Sequence, residues 1–361
     1  MTKLTSQERV NRALAHKPHD RVPRHESFWP DTITRWKKEG LLGGAAQVLE
    51  LLETDFHGIN WLWPHPFPGD EKLISEDADT HVVRDESGRL LRRWRHKSGT
   101  PEHLGFECNS REIWKKKYKP ALLDTGLQIN PALAVRNYRT GREKGKWCML
   151  VGVESFEQLR AIIGDEAAMI AMIEDPDWIR DISQTFTDVL LQNLDAAMAT
   201  GILPDGLWVY GDMAFKTATF CSPQMYKDLI WPDHKRIADW AHAHRLKLIY
   251  HTDGNINNVI DLYIDAGFDC LQPLECKASM DIRNLCPNYG DKLTFFGNID
   301  VMTMKDNDLA AIEREIATKF AAGMKTNGYI YHSDHSVPPQ VSWETYKAVI
   351  ELVKKYGQYE R

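Results

Sequence analysis

The sequence predicts an α/β protein, a (β/α)8 or TIM barrel with one insertion after the second strand. Two observations support this fold. From residue 147 onward, short β-branched or aromatic runs alternate with long amphipathic stretches, which is typical of a parallel sheet covered by helices. Two earlier runs bring the total to eight, the number of strands that closes a barrel. We therefore expect residues 1–361 to form a single barrel domain.

Each predicted strand is a short run rich in apolar or β-branched residues that ends on a polar or aromatic group. In chain order they are "RVPRHESF" (21–28), "DFHGINWLW" (55–63), "WCMLVGV" (147–153), "GLWVYGDM" (206–213), "KLIYHTDG" (247–254), "DCLQPLE" (269–275), "LTFFGNID" (293–300) and "GYIYHSDH" (328–335). Helical patterns separate the later strands. Asn or Ser stands at several of their starts and glycine at several of their ends, which are the residues that cap helices.

Residues 64–146 interrupt this alternation. They contain the hairpin pattern "THVVRDESGRLLRRWRH" (80–96) and two helical patterns, "SREIWKKKYKPAL" (110–122) and "NPALAVRNYRTGREKG" (130–145). Because the interruption follows the second predicted strand, we expect this segment to lie as a cap over the barrel mouth.

Composition and charge exclude several classes of protein. The formal net charge is -6 and the basic residues are scattered, whereas nucleic-acid binding needs a concentrated basic surface. The sequence has no run of about 18 apolar residues that could cross a bilayer, and its amino-terminal pattern is a polar amphipathic helix rather than a signal peptide. The six cysteines form no Cys-x-x-Cys pair, which suits a reducing compartment. We expect a cytoplasmic protein without nucleic-acid or membrane partners.

Candidate metal ligands stand at the ends of the later strands, where barrel enzymes place their working residues. His251 and Asp253 are two positions apart on a strand, so both side chains point to the same face. With Glu275 and His335 they would supply nitrogen and oxygen ligands that zinc accepts, with a position left for substrate. Cys276 ranks below Glu275, because strand parity points its side chain elsewhere. Strand ends are often polar only because they meet solvent. That explanation suits three other residues at predicted strand ends: Glu154, Asp300 and His332.

The carboxyl-terminal half contains "HTDGN", "AGFDCLQPLE", "LTFFGNIDV" and "GYIYHSDHSVPP", and the amino-terminal region contains "RVNRALAHKPHDRVP". In order and spacing these segments resemble the uroporphyrinogen decarboxylase superfamily, which includes the cobamide-dependent methyltransferases. Methyl-transferring members hold zinc with a His-x-Cys pair, a later Glu and a distant Cys. The resemblance implies that the corresponding metal-binding positions in this sequence are His251, Asp253, Glu275 and His335. Both cysteines of that pattern are replaced, which leaves a harder site that suits an oxygen-bearing ligand.

The resemblance and the ligand set together predict a zinc-dependent methyltransferase. We expect it to cleave a methyl ether, in a methoxylated aromatic donor, and to pass the methyl group to the corrinoid of a partner protein. A Lewis acid on the ether oxygen stabilises the poor leaving group. Asp253 serves as the fourth ligand or as a group beside the ligands, and Asp212 or Glu26 protonates the leaving oxygen.

Aromatic residues near the strand ends predict a wall for a flat ring. They are Trp29, Trp61, Trp63 and Tyr210. Core packing explains such residues equally well, and we expect Trp208 to pack. Lys216 is a candidate partner for a substrate carboxylate, and Asn298 is a further candidate substrate contact.

Three other functions stay open. A uroporphyrinogen decarboxylase needs no metal and holds a carboxylate-rich substrate with an arginine-rich motif. Arg21 and Arg24 stand in the matching region, but Glu26 and Asp31 lie among them and would repel that substrate. A methylcobamide:thiol methyltransferase is disfavoured by the replaced cysteines. A non-catalytic corrinoid- or tetrapyrrole-binding module would not need the ionisable strand ends. Family members are often dimers, so a homodimer is also an open alternative.

Overall fold

The strands form two separate sheets in the computed structural model, which describes residues 4–359. In chain order the strands are β1 (Phe56–Gly58), β2 (Lys72–Glu76), β3 (Thr80–Arg84), β4 (Arg89–Trp94), β5 (Glu102–Phe106), β6 (Trp147–Val153), β7 (Gly206–Tyr210), β8 (Lys247–Thr252), β9 (Cys270–Pro273), β10 (Thr294–Phe296) and β11 (Tyr329–Ile330). The larger sheet is a curled, parallel sheet of seven strands in the order β1-β6-β7-β8-β9-β10-β11. Every one of these seven strands lies within a predicted strand, so the parallel α/β prediction is confirmed.

The first predicted strand, residues 21–28, is not a strand, and the eight-stranded barrel is not confirmed. This segment lies between the two edge strands, with hydrogen bonds from His25 N to Tyr331 O (3.0 Å) and from Asp55 N to Arg24 O (2.8 Å). A regular ladder cannot extend along it for two reasons. Pro23 has no N–H to donate, and the N–H of Arg24 is bound by the Asp55 carboxylate at 2.9 Å.

The smaller sheet lies in the insertion between β1 and β6, with antiparallel strand order β2-β3-β4-β5. The predicted hairpin is its central pair, in which Thr80 faces Trp94 and Arg84 faces Leu90. The flanking strands β2 and β5 were not predicted. All five residues of β2 are exposed, so the alternation of buried and exposed positions that marks a strand is missing.

Sixteen α-helices surround and connect the strands within residues 4–359. They are α1 (Ser6–Ala13), α2 (Pro30–Lys38), α3 (Ala45–Leu51), α4 (Arg111–Ile113), α5 (Lys119–Asp124), α6 (Pro131–Glu143), α7 (Ser155–Ile163), α8 (Asp165–Glu174), α9 (Pro176–Met198), α10 (Pro223–Leu229), α11 (Trp231–Ala243), α12 (Ile260–Ala266), α13 (Ile282–Tyr289), α14 (Val301–Lys305), α15 (Leu309–Gly323) and α16 (Trp343–Tyr356). A π-helical stretch, Trp114–Tyr118, joins α4 to α5 within the first predicted helix of the insertion. None of the helices in the described range is long and apolar enough to cross a membrane.

The two ends of the large sheet differ in what they carry. At the amino ends, carboxylates that precede three strands bind backbone N–H groups of neighbouring segments: Asp55 to Arg24, Asp205 to Cys148, and Asp269 to Leu248. Inside the curl, a compact apolar cluster that includes Phe56, Met149, Ile249 and Phe296 fills the space. The carboxyl ends are left with polar side chains around a cavity, and this end carries the candidate site.

Candidate metal centre and substrate cavity

A cavity of about 620 Å³ opens at the carboxyl ends of the parallel strands. Its wall combines aromatic and imidazole rings with two carboxylates, two amides and several small or aliphatic residues. The predicted site residues on its wall are Trp29, Trp61, Tyr210, Asp212, His251, Asp253 and His335. Concave, mainly apolar sites with a few converging polar groups are the usual form of a small-molecule site.

Asp253 lies at the centre of the polar groups. Its Oδ1 is 3.8 Å from His251 Nε2, and its Oδ2 is 3.9 Å from His335 Nε2. The ligand atoms of Asp253, Glu275 and His335 lie within 4.8 Å of one another, and so do those of Asp212, His251 and Asp253. The four predicted ligands thus form two overlapping groups that share Asp253, and Asp212 joins one of them. These five side chains are called the Asp253 cluster below.

The Asp253 cluster has the properties of a cation site. Asp253 Oδ1 is buried and has no hydrogen-bond partner among residues 4–359, which is costly for a carboxylate oxygen unless an ion or a proton is supplied. Burial, and then the charges of Asp212 and Glu275, raise the pKa of Asp253 well above its ordinary value. Two imidazoles with carboxylate oxygens are a donor set that zinc and similar divalent ions accept. The residues present therefore fit a metal ion.

Gln272 fixes the orientation of His251. Its Oε1 is 2.5 Å from His251 Nδ1 and 3.3 Å from Trp208 Nε1. An indole N–H can only donate, so both rings face the oxygen of the amide, and His251 keeps its proton on Nδ1. Nε2 is then left with its lone pair toward Asp212 and Asp253. Burial lowers the pKa of His251, which favours this neutral form.

The loops that carry the carboxylates are held by backbone hydrogen bonds. Glu275 Oε2 accepts from Gly254 N at 2.9 Å, and its Oε1 is 2.7 Å from Lys277 Nζ. Asp212 Oδ1 accepts from Asp253 N at 3.0 Å. Gly254 has φ +86°, and a Cβ there would lie 2.5 Å from the backbone oxygen of Ala214, so only glycine fits this turn.

Comparison with known proteins identifies the family. A model of the uroporphyrinogen decarboxylase family matches residues 159–356, which is more than half of the chain. The chain belongs to the uroporphyrinogen decarboxylase family. The matched range contains the whole Asp253 cluster.

This family member also shares its fold with a solved methyltransferase from Methanosarcina mazei. The TM-score is 0.69 at 14% identity, covering 98% of this chain and 99% of the other. Two further solved structures are too dissimilar to support any conclusion about this fold. One is a β-glucosidase mutant derived from a hyperthermophilic tetrameric structure, with 12% identity and a TM-score of 0.30 over 95% of this chain and 96% of the other. The second is a dihydropteroate synthetase, with 10% identity and a TM-score of 0.22 over 63% of this chain and 89% of the other. No curated protein shows significant sequence similarity to the chain.

Five predicted site residues of this uroporphyrinogen decarboxylase family member do not line the cavity, and one of them, Glu275, belongs to the Asp253 cluster beside it. Glu26 is buried behind the wall, where it accepts hydrogen bonds from Tyr331, Tyr346 and Ser333, so it is a structural carboxylate. Lys216 is exposed and does not line the cavity. The remaining two have other partners: Asn298 binds the backbone of the loop that carries Glu275, and Trp63 donates to Gln158.

Two residues assigned to packing or solvent by the sequence do line the cavity. Trp208 contacts Trp61 and Tyr210, with ring centroids 6.0 and 6.3 Å away, and its face is part of the wall. His332 also lines it. The sequence gives no signal that separates these rings from packing, because register between strands decides which of them face the cavity.

The arginines of the decarboxylase alternative lie at the other end of the sheet. Arg21 forms an ion pair with Asp55 at 2.7 Å, and Arg24 is 1% exposed beside Glu53. Burial lowers the pKa of Arg24 to about 10. Both guanidinium groups thus lie at the amino end of β1, where each contacts a carboxylate, and neither lines the cavity.

Proposed function

We propose that this chain is a zinc-dependent methyltransferase that removes the methyl group of a methoxylated aromatic compound and transfers it to the corrinoid of a partner protein. The observation that carries the proposal is the buried Oδ1 of Asp253, which has no hydrogen-bond partner among residues 4–359, on a carboxylate that is common to both groups of candidate ligands and lines the cavity. The fold shared with a methyltransferase is compatible with this reaction. We further propose that the chain works as one domain with residues 64–146 as a cap, since Thr100 of the insertion lines the cavity.

His251, Asp253, Glu275 and His335 would hold the metal. A bound zinc ion supplies Lewis-acid polarisation of the ether oxygen. Around it, the rings of Trp61, Trp208 and Tyr210 form a face on which a flat ring packs.

Asp212 is the group placed to hold the proton that the departing oxygen takes up. It lines the cavity, and its Oδ2 accepts from Tyr210 Oη at 2.9 Å, which keeps the carboxylate beside the cluster. The reaction balances as methyl ether plus cobalt(I) plus one proton giving a phenol and methyl-cobalt(III).

Two alternatives are less well supported. Decarboxylation would need Arg21 and Arg24 at the substrate, and both lie at the opposite end of the sheet, beside Asp55 and Glu53. Thiol methylation would favour a cysteine in the cluster. Cys276, the neighbour of Glu275, instead donates to Asn298 O at 3.1 Å and lies 2.8 Å from Lys319 Nζ.

The proposal is tested with Asp253→Asn. We expect the wild-type chain to bind one zinc ion and, with a methoxyarene and a reduced corrinoid protein, to give the methyl-cobalt absorbance spectrum and free phenol. Asp253→Asn should bind zinc more than about 100-fold more weakly, beyond the usual effect of losing a supporting partner, and should form no methyl-cobalt. Asp291→Asn, at an exposed turn, is the control and should behave as wild type.

Other results would overturn the proposal in identifiable ways. Zinc affinity that is equal in Asp253→Asn and wild type would remove Asp253 from the metal site. Decarboxylation of uroporphyrinogen by the metal-free chain, or methylation of a thiol by methyl-cobalt, would assign one of the alternative reactions.

A further inference from the structure

The floor of the cavity carries a histidine that the proposed mechanism does not use. His25 lines the cavity, and its ring lies 5.7 Å from Phe56 and 6.4 Å from Phe296. Those two phenylalanines belong to the apolar cluster inside the curled sheet. The Asp253 cluster, in contrast, lies at the carboxyl ends of the strands. His25 therefore lies at the inner end of the cavity and the cluster at its mouth.

Hydrogen bonds determine which nitrogen of His25 faces the substrate. Thr54 Oγ1 is placed to donate its single proton to Arg24 O at 3.1 Å, and with the proton used in this way it accepts from His25 Nδ1 at 2.9 Å. Nδ1 is thus the protonated nitrogen. Nε2 has a lone pair and no donor among residues 4–359. Burial, and then the neighbouring His332, lower the pKa of His25 to about 3, so Nε2 remains an acceptor at neutral pH.

The neighbouring imidazole does not offer the same group. His332 Nδ1 donates to Ser333 O at 2.6 Å, and its Nε2 is 3.2 Å from Ser27 Oγ, which can donate to it. His25 Nε2 is therefore the acceptor at the floor that is left for a ligand.

The charge of the cavity wall restricts the ligand further. Asp212 and Asp253 line it, and no lysine or arginine among residues 4–359 does. Apart from the metal ion proposed at the Asp253 cluster, a substrate carboxylate would find no cation here, and at the floor it would face the lone pair of His25 Nε2.

We propose that His25 Nε2 accepts a hydrogen bond from a hydroxyl group on the substrate ring, on the side remote from the methyl ether. This inference rests on the proposed function, because a corrinoid that approaches from outside requires the ether at the mouth and the rest of the ring toward the floor. The substrate class is then an uncharged methoxyphenol, and a methoxybenzoate is excluded. The predicted role of Lys216 in binding a carboxylate is replaced by this contact.

The test compares four ligands, 4-methoxyphenol, 3-methoxyphenol, anisole and 4-methoxybenzoate, in wild type, His25→Phe and His25→Gln. Binding is measured without corrinoid, by quenching of tryptophan fluorescence, and methyl transfer is measured separately. We expect wild type to bind at least one of the methoxyphenols about 10-fold or more tightly than anisole, which corresponds to one net hydrogen bond. It should bind 4-methoxybenzoate more weakly than it binds either methoxyphenol. His25→Phe should lose the preference for the phenol and keep its affinity for anisole within about 2-fold. His25→Gln retains an acceptor and should restore part of the preference.

The two proposals fail in different ways. If the preference depends on His25 but no ligand is demethylated, the hydroxyl subsite stands and the methyltransferase proposal fails. If methyl transfer occurs while both methoxyphenols and anisole bind equally to wild type and His25→Phe, the methyltransferase stands and the subsite is overturned. Tight binding of 4-methoxybenzoate would also overturn it.

Discussion

Gln272 shows how one neutral side chain can decide the chemistry of a charged one. It accepts from His251 Nδ1 and from Trp208 Nε1, so a metal ligand and a cavity wall are positioned by the same oxygen. A histidine whose outer nitrogen is fixed in this way presents its other lone pair in one direction only. Gln272 and His251 face each other across β8 and β9, which explains why this partner has no signature in the sequence around His251.

We expect Gln272→Leu to weaken zinc binding by about 10 to 100-fold, the usual cost of losing a partner that orients a ligand. Leucine fills similar space but accepts no hydrogen bond, so His251 is free to rotate or to change its protonated nitrogen. Affinity is measured by competition with a chromophoric chelator. Gln224→Leu, at an exposed position, is the matched control. Unchanged affinity in Gln272→Leu would mean that His251 does not bind the metal through Nε2.

At the scale of elements, aspartates repeat at the amino ends of the parallel strands. Asp205, just before β7, accepts from Cys148 N on β6 at 2.7 Å and pairs with Arg142 at 2.7 Å. Asp269, just before β9, accepts from Leu248 N on β8 at 2.9 Å. Each carboxylate thus joins the start of one strand to its neighbour and fixes their register, from which the positions of the side chains at the carboxyl ends follow.

Asp205→Ala should lower the free energy of unfolding by about 3 kcal/mol, because it removes a buried charge-assisted hydrogen bond and leaves Arg142 without its partner. Urea unfolding at pH 7 measures the change. Asp265→Ala, which removes an exposed carboxylate, should change stability by less than about 0.5 kcal/mol. An equal effect of the two substitutions would show that the aspartate before β7 does not fix the strand.

The same elements show what could be predicted from the sequence. Apolar runs identify the seven parallel strands, and spacing of two residues correctly places His251 and Asp253 on the same side. The segment 21–28 fails as a strand because Pro23 and the Asp55 carboxylate disrupt its backbone pairing. His25 and Gln272 depend on contacts between segments distant in sequence, so a local pattern cannot reveal them. Glu26 has the residue type expected of an acid, but burial among tyrosines decides its role.

At the scale of the whole molecule, the segment 20–22 meets the segment 357–358 that follows the last helix. Val22 N donates to Gly357 O at 2.8 Å, and Arg21 and Gln358 form an antiparallel bridge. Asp20 holds this junction together with α1, since Arg9 Nε is 2.7 Å from its Oδ1. The junction lies at the amino end of the sheet, away from the cavity, so its stability can be varied without changing the site.

Asp20 therefore gives a prediction for stability in acid. Burial acts to raise its pKa, but hydrogen bonds and charge from Arg9, with the N–H groups of Leu4 and Arg21, outweigh burial and lower the pKa to about 2. A carboxylate whose pKa is depressed on folding stabilises the protein above its unfolded pKa, near 3.9, and this contribution is lost as the pH falls through about 2.

Asp20→Asn should lower the free energy of unfolding by roughly 1 to 2 kcal/mol at pH 7 once solvent screening is allowed for. The difference from wild type should shrink between about pH 4 and pH 2. Urea unfolding in the presence of a chelator measures this without interference from metal loss. A difference that stays constant down to pH 2 would mean that the ion pair with Arg9 does not set the acid stability of the junction.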